Sequence, residues 1–324
     1  GAPHIENLII HTYASRDALA EALEHGDVDQ AALLSADVLA PIAKRMSHTL
    51  ETDILPRVFG VFFNQNNADI FTERAVRLAL HRATDRDRLV ASVFDGYAEP
   101  LTAPFPPRGE LTTATSSKAE TGTPDRARRI LEENNWSLTP DGTTRHKDEN
   151  PLSFTLATGN TPDLKATAEE LKRQWEDIGF DVKLSFYEES ELKQNVIRPR
   201  EFEALLFGQI INKSGDLHPF WHSSQRTDPG LNVAQYANID VDTFLESYRA
   251  AQSPDDRNDL LMRITTEIEK DIPALFLYAP QFRYARSPSV HGIDELSVAN
   301  PYERFSDIHT WYIETYDVWP PFAK

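Results

Sequence analysis

"LSFTLATGNTPDLKATAEELKRQWEDIGFDVKLSFY" (152–187) decides the fold class. Leu152, Phe154 and Leu156 alternate, as a half-buried strand requires. Leu164, Ala168, Leu171, Trp175 and Ile178 then recur at helical spacing, and Gly179 stands where a C′ glycine belongs. Phe180, Val182, Leu184 and Phe186 alternate again. A strand, a helix and a strand of this length make a βαβ crossover, so the segment predicts a parallel strand pair in an α/β lobe.

Signals weaken outward from this unit but keep its character. Upstream, "NLIIHTY" (7–13) is a β-rich run. "SRDALAEALEHG" (15–26) reads as a helix with Ser15 as N-cap and Gly26 past its end. A second helix is expected near 37–46, and "RVFGVFFNQN" (57–66) as a buried strand. Four prolines and many hydroxyl residues mark 97–123 as an extended loop, after which Thr123-Pro124 opens a helix. Downstream, "FEALLFG" (202–208) is a strand followed by the polar loop 209–235. Helices are expected at 240–251 and 254–270, then a strand at "PALFLY" (273–278). The aromatic tail with Trp311, Tyr316 and Trp319 is expected to pack down.

The chain has 324 residues, with 33 Lys+Arg against 51 Asp+Glu and a formal net charge of −18. That balance argues against nucleic acid or an anionic membrane as the partner of the whole chain. No run approaches the ~20 apolar residues that span a bilayer. The absence of cysteine removes disulfides and thiol chemistry. GxSxG, P-loop, GxGxxG and HExxH patterns are missing, so no enzymatic activity is expected.

Two segments invite a functional reading. "FNQNNADIFTERAVRLALHRATDRDRLV" (63–90) carries five arginines. Val76, Ala79, Leu80 and Ala83 make its apolar stripe, which leaves Arg74, Arg77 and His81 for a solvated face. Asp85, Arg86, Asp87 and Arg88 read as an ion-paired, exposed end. No glycine-rich turn precedes the helix, so a phosphate site is not expected.

"GDLHPFWHSSQ" (215–225) is the second. Asp216, His218 and His222 are possible metal donors, with the two histidines at i,i+4. The same residues better suit a wall for a small polar or peptide ligand, with Phe220 and Trp221 as apolar area, His222, Ser223, Ser224 and Gln225 as polar groups and Asp216 as the one carboxylate. Phe220 and Trp221 as plain core residues is the third reading.

Several stretches resemble one family, the extracellular solute-binding proteins of the oligopeptide/dipeptide/nickel ABC importers (family 5). Residues 63–90 are similar to its "F…D.RVR.AL..A.DRD.LV". "TPDRARRILEENNW" resembles "d..kAk.LL.eaGw", and residues 166–184 resemble "a..i...l..iGi.v.l". "NVAQYANIDVDTFLESYRAAQSPDDRNDLLMRITTEIEKDIPALFLY" is similar to "N...y.n..vD.ll..a....d...R..ly.....i..d.P.iply". The order is kept over about residues 5–295.

The resemblance implies an α/β, two-lobed periplasmic-binding-protein-like fold of class II type, present as one complete lobe plus part of the other. Residues 1–60 would be the second segment of lobe I, 61–283 the C-terminal lobe, and 284–324 the return to lobe I. Phe62, Phe63 and Asn64 would form a hinge, with a second crossing near 279–286.

The implied function is binding of a peptide or small polar solute in an interlobe cleft and its delivery to ABC permease subunits. The protein would be an extracytoplasmic monomer without cofactor or metal, anchored to the membrane only through a missing N-terminus. Gln209, Asn212, Asp216, Trp221, His222, Gln225 and Asn232 are the expected ligand-facing residues. The family's "GW..D…DP" departs here to "FGQIINKSGDLHPFW": Gln209 stands for the Trp and Asn212 falls near the first Asp. A surface sensor on the same fold, and a metal-dependent hydrolase using His218 and His222, are the alternatives.

Overall fold

The computed structural model describes residues 4–32, 34, 49–107, 122–140, 142–211, 214–293, 298 and 300–313. Along the chain run α1 (Arg16–His25), β1 (Gln30–Ala32), β2 (Thr49–Ile54), β3 (Arg57–Phe63), α2 (Arg74–Ala83), α3 (Arg86–Phe94) and β4 (Ala98–Pro100). Next come α4 (Pro124–Glu133), β5 (Ser137–Leu138), β6 (Arg145–Lys147), β7 (Asn150–Pro151), β8 (Ser153–Gly159), α5 (Pro162–Glu176) and β9 (Asp181–Tyr187). The order closes with β10 (Ala204–Ile210), α6 (Ile239–Ala250), α7 (Pro254–Asp271), β11 (Ala274–Arg286), β12 (Val290–His291) and β13 (Tyr312–Ile313). The chain divides into unit 1, Gly1–Leu55 with Gln281–Lys324, and unit 2, Pro56–Pro280.

Unit 2 is built around the expected crossover. β8 and β9 pair in parallel from Ser153↔Asp181 to Gly159↔Tyr187, and β10 joins β8 in parallel. β3 closes on β10 antiparallel, and β11 pairs with both β3 and β4. The apolar stripes of α2 to α5 bury on one face of this sheet, where Leu80, Leu89, Leu131 and Trp175 meet Val61, Phe63, Phe154 and Leu206. On the other face Trp221 packs against Phe62 and Phe276.

Two glycines are obligatory. Gly179 ends the α5 turn at φ +97°, and a Cβ there would lie 2.7 Å from the Arg145 side chain. A Cβ on Gly208 would strike the Phe59 ring at 2.7 Å, the same ring that stacks on Tyr278.

In unit 1, Ser15 caps α1 by accepting from the Ala18 N–H at 3.1 Å, and Gly26 closes it at φ +75°. The last residues of β11 pair with β1 and β2. Trp311 is buried against Phe305. Residues 7–13 form no strand, and Ile9 and Ile10 are exposed. They pair with no strand among the described residues, so β-propensity alone did not fix their structure. The helix expected near 37–46 and the tail beyond 313 lie outside the described residues.

The arginines of 74–88 correct the sequence reading. Arg77 is buried, not solvated. Its Nε donates to the Ile272 carbonyl at 2.9 Å, Nη2 to Asp271 O at 2.7 Å, and Nη1 to Phe71 O. Arg74 Nε reaches Lys270 O at 2.7 Å. The Lys270, Asp271 and Ile272 carbonyls close α7, whose last C=O groups have no helical partner and carry the negative end of its dipole. The helix thus supplies a cationic cap to another helix. Arg86, expected in an exposed ion-paired end, is also buried, with Nε on Phe276 O at 2.6 Å. Asp85 is the N-cap of α3, accepting from the Arg88 N–H.

Candidate functional site

β8, β9 and β10 run parallel, so their C-terminal ends lie together and present the loops that follow them. Gln209 is the penultimate residue of β10. The pleat sets Leu205, Phe207 and Gln209 on the side opposite Ala204 and Leu206, which belong to the main core. The Gln209 amide is buried, and neither its oxygen nor its nitrogen has a partner. A buried amide left so costs roughly 1–3 kcal/mol per unmade bond, so it marks a place where a donor and an acceptor are wanted. The next residue, Ile210, is exposed.

The loop beyond Gln209 is fastened to one face of α6. Asp216 accepts a two-pronged bond from Arg249, at 3.0 Å from Nε and 2.7 Å from Nη2, and also caps the His218 N–H at 3.1 Å. Tyr248 donates to the Ser214 carbonyl at 2.5 Å. Ser223 donates through N and Oγ to Asp242 at 2.8 and 2.5 Å. His222 Nδ1 accepts from the Ser224 N–H at 3.1 Å, and its Nε2 lies 3.5 Å from Glu246 without forming a hydrogen bond. Residues 242, 246 and 249 share a helix face, so one stripe of α6 meets residues 216–223, and Tyr248, off that stripe, adds the bond to Ser214.

Charge follows this geometry. Burial would raise the Asp216 carboxyl, but the Arg249 and His218 hydrogen bonds outweigh it and hold the group below its ordinary value. Burial, together with Arg249 and His222, lowers His218. The His218 and His222 rings stack 4.2 Å apart.

The expected ligand residues therefore separate. Gln209 keeps an unused amide. Asp216 is engaged with α6 through Arg249, whereas His222 bonds Ser224 within its own loop and only approaches Glu246. Gln225 donates to Ser224 Oγ at 3.1 Å, and its carbonyl accepts from Asn232. Asn232 is a buried brace, donating to Tyr236 O at 2.9 Å and accepting from the Tyr236 N–H.

Trp221 sits where the core reading puts it, although its Nε1, like the Gln209 amide, has no partner among the described residues. Its indole is fully buried between Phe62, Tyr236 and Phe276, because a ring of that size removes the most apolar surface in the sheet's second layer. Asn212 lies outside the described residues.

The residues expected at a hinge lie inside unit 2. Phe62 and Phe63 are fully buried in β3. Asn64 donates to the Arg200 carbonyl at 2.8 Å, as does Asn67 at 2.9 Å.

Sequence reasoning missed a groove of about 440 Å³ lined by Asn67, Thr155, Ala157, Tyr187, Glu201, Phe202 and Glu203. Thr155 and Ala157 occupy the β8 face that the alternation leaves polar or small, which was the available signal. Glu203 is partly engaged, accepting from the Thr155 N–H at 2.5 Å. Unit 1 has its own groove of about 400 Å³, whose walls include Ile5, Ile9, Leu19 and Tyr284.

Comparison with known proteins gives the frame for this site. The model of "Bacterial extracellular solute-binding proteins, family 5 Middle" matches residues 1–230. The oligopeptide-binding protein AppA of Bacillus subtilis is 24% identical over 323 residues, covering 97% of this chain and 57% of that protein. The nickel-binding periplasmic protein of Escherichia coli is 26% identical over 285 residues, covering 82% of this chain and 52% of its own length. The structure of Bacillus subtilis AppA in complex with a nonapeptide superposes with TM-score 0.74 at 24% identity, over 93% of this chain and 59% of that one. NikA of Brucella suis in complex with Fe(III)-EDTA gives 0.78 at 21% identity, over 93% and 61%. The chain thus spans little more than half the length of the relatives it matches.

Proposed function

The chain belongs to family 5 of the bacterial extracellular solute-binding proteins, and from that premise we propose that it is the substrate-binding component of an ABC importer for a peptide or a similar small polar solute. Members of the family are binding proteins, not enzymes. Unit 1 is then part of lobe I and unit 2 the C-terminal lobe, with the crossings at 55/56 and 280/281 as hinge. The solute would be held in an interlobe cleft, passed to permease subunits, and met outside the cytoplasm. Ligand stabilises whichever state it binds better, which is how a two-lobed protein reports occupancy.

The observation that supports a peptide-like ligand is the unused amide of Gln209. A primary amide offers two donors and an acceptor on one plane, the complement of a peptide group, and carries no charge to select an ion. Titrating the purified protein with a random short-peptide mixture, and then with single peptides recovered from it, should show saturable heat. Gln209→Ala should weaken that binding about tenfold, the equivalent of one hydrogen bond of about 1.4 kcal/mol, with an unchanged melting temperature. Wild-type protein that takes up no peptide overturns the solute class, and unchanged affinity in the variant removes Gln209 from the site.

A further inference from the structure

We propose that unit 2 contains a buried site for a small inorganic anion of the chloride class, held by the two terminal amino groups of Arg86. Arg86 is the first residue of α3 and is only 3% exposed. Its Nε is committed to the Phe276 carbonyl, but Nη1 and Nη2 are both buried and meet no protein acceptor. Four N–H donors on a cationic group are thus withdrawn from water with nothing opposite them. A buried unpaired charge costs several kcal/mol, and each unmade hydrogen bond adds to that. Buried groups of this kind are otherwise found paired with protein, water or an ion.

The surroundings favour an ion over water. Asp87 and Glu269 act on Arg86 through space, and neither forms a hydrogen bond to its two amino groups. Arg82 and Arg86 together press on the His81 imidazole, and with burial as the larger cause its pKa falls to about 3, so the ring adds no charge of its own. His81 Nδ1 is likewise buried without a partner, which gives a second unused polar nitrogen within reach of the Arg86 field. Arg82 in turn feels Arg126 and Arg74, so several arginines gather here in a chain of net charge −18. Water would supply hydrogen bonds but no counter-charge, whereas an anion supplies both. Enclosure limits its size, and the Nη1/Nη2 fork fits a halide or similarly small oxyanion better than a phosphate ester. The site is independent of the solute-binding reading.

The test is halide replacement in the protein crystallised from chloride and transferred to bromide. An anomalous bromide peak within hydrogen-bond distance of Arg86 Nη1 or Nη2 is expected. In solution, the melting temperature should climb as sodium chloride replaces sodium gluconate at constant ionic strength, because an ion that binds only the folded state stabilises it by mass action. Arg86→Met should abolish that dependence; should this variant fail to fold, the bromide map of the wild type decides alone. Water at both amino groups with bromide confined to the surface, or melting that follows ionic strength alone, overturns the site.

Discussion

The arginine-bearing segment 74–88 and the loop 214–235 both look like surface chemistry in the sequence, and the structure uses them in opposite ways. In the first, cations turn inward onto backbone: Arg77 and Arg74 close the carbonyl end of α7, and Arg86 takes Phe276 O. In the second, side chains turn onto other side chains, and one stripe of α6 gathers Asp216, His222 and Ser223. The difference lies in what each segment has to satisfy. A helix end offers orphan carbonyls in a fixed array, for which a guanidinium fork is the matching donor. A loop of irregular backbone offers no such array, so it is held by whatever side chains the neighbouring helix presents.

The sharpest way to break this comparison is Trp221→Ala. If the loop's aromatic centre is core, the substitution removes about 3–5 kcal/mol of stability through the lost ring and the cavity it leaves. Urea unfolding followed by circular dichroism measures it. A loss below about 1 kcal/mol would return Trp221 to the role of an accessible wall.

Next in size is Arg77→Met, which keeps most of the apolar stem and strips the cap from α7. With bonds to Ile272, Asp271 and Phe71 carbonyls gone, a loss of about 2–4 kcal/mol is expected. Arg74→Met is the control: it is exposed and serves one carbonyl, so it should cost about 0.5 kcal/mol in the same assay. Equal losses at the two positions would mean that burial of the cap contributes nothing.

The two segments also differ in what could be read in advance. The crossover of 152–187 was legible because alternation, helical period and a C′ glycine are local, and β8, α5 and β9 follow them. The stripe Val76, Ala79, Leu80, Ala83 was legible for the same reason. Arg77 was not, because the two acceptors that draw it inward, the Asp271 and Ile272 carbonyls, lie 194 and 195 residues away in the chain. A helical wheel puts it on the polar side, and only the tertiary position of α7 turns that side inward. At the candidate site, Gln209 was named because it stands where the resembled family's motif has Trp. For Trp221, core and wall predict the same residue type, so composition could not separate them. Asp216 was expected to face a ligand, but the structure pairs it with Arg249, on a helix that gave no sign of facing it.

The smallest effect expected is also the one with a pH signature. Asp216 sits below its ordinary carboxyl value in the folded protein. A depressed folded value means that the ionised form is favoured by folding, so the contribution is complete above the unfolded carboxyl value near ~3.9 and disappears as pH falls through the folded value. Asp216→Asn keeps the shape and removes the charge. At neutral pH it should cost about 1 kcal/mol, since Arg249 is partly exposed and solvent screens the pair. The gap between wild type and variant should narrow as pH is lowered from about 5 towards 2, read from unfolding curves at each pH. A gap that stays constant over that range would show that the carboxylate charge does not fasten the loop to α6, leaving the Ser223–Asp242 and Tyr248–Ser214 bonds to hold it.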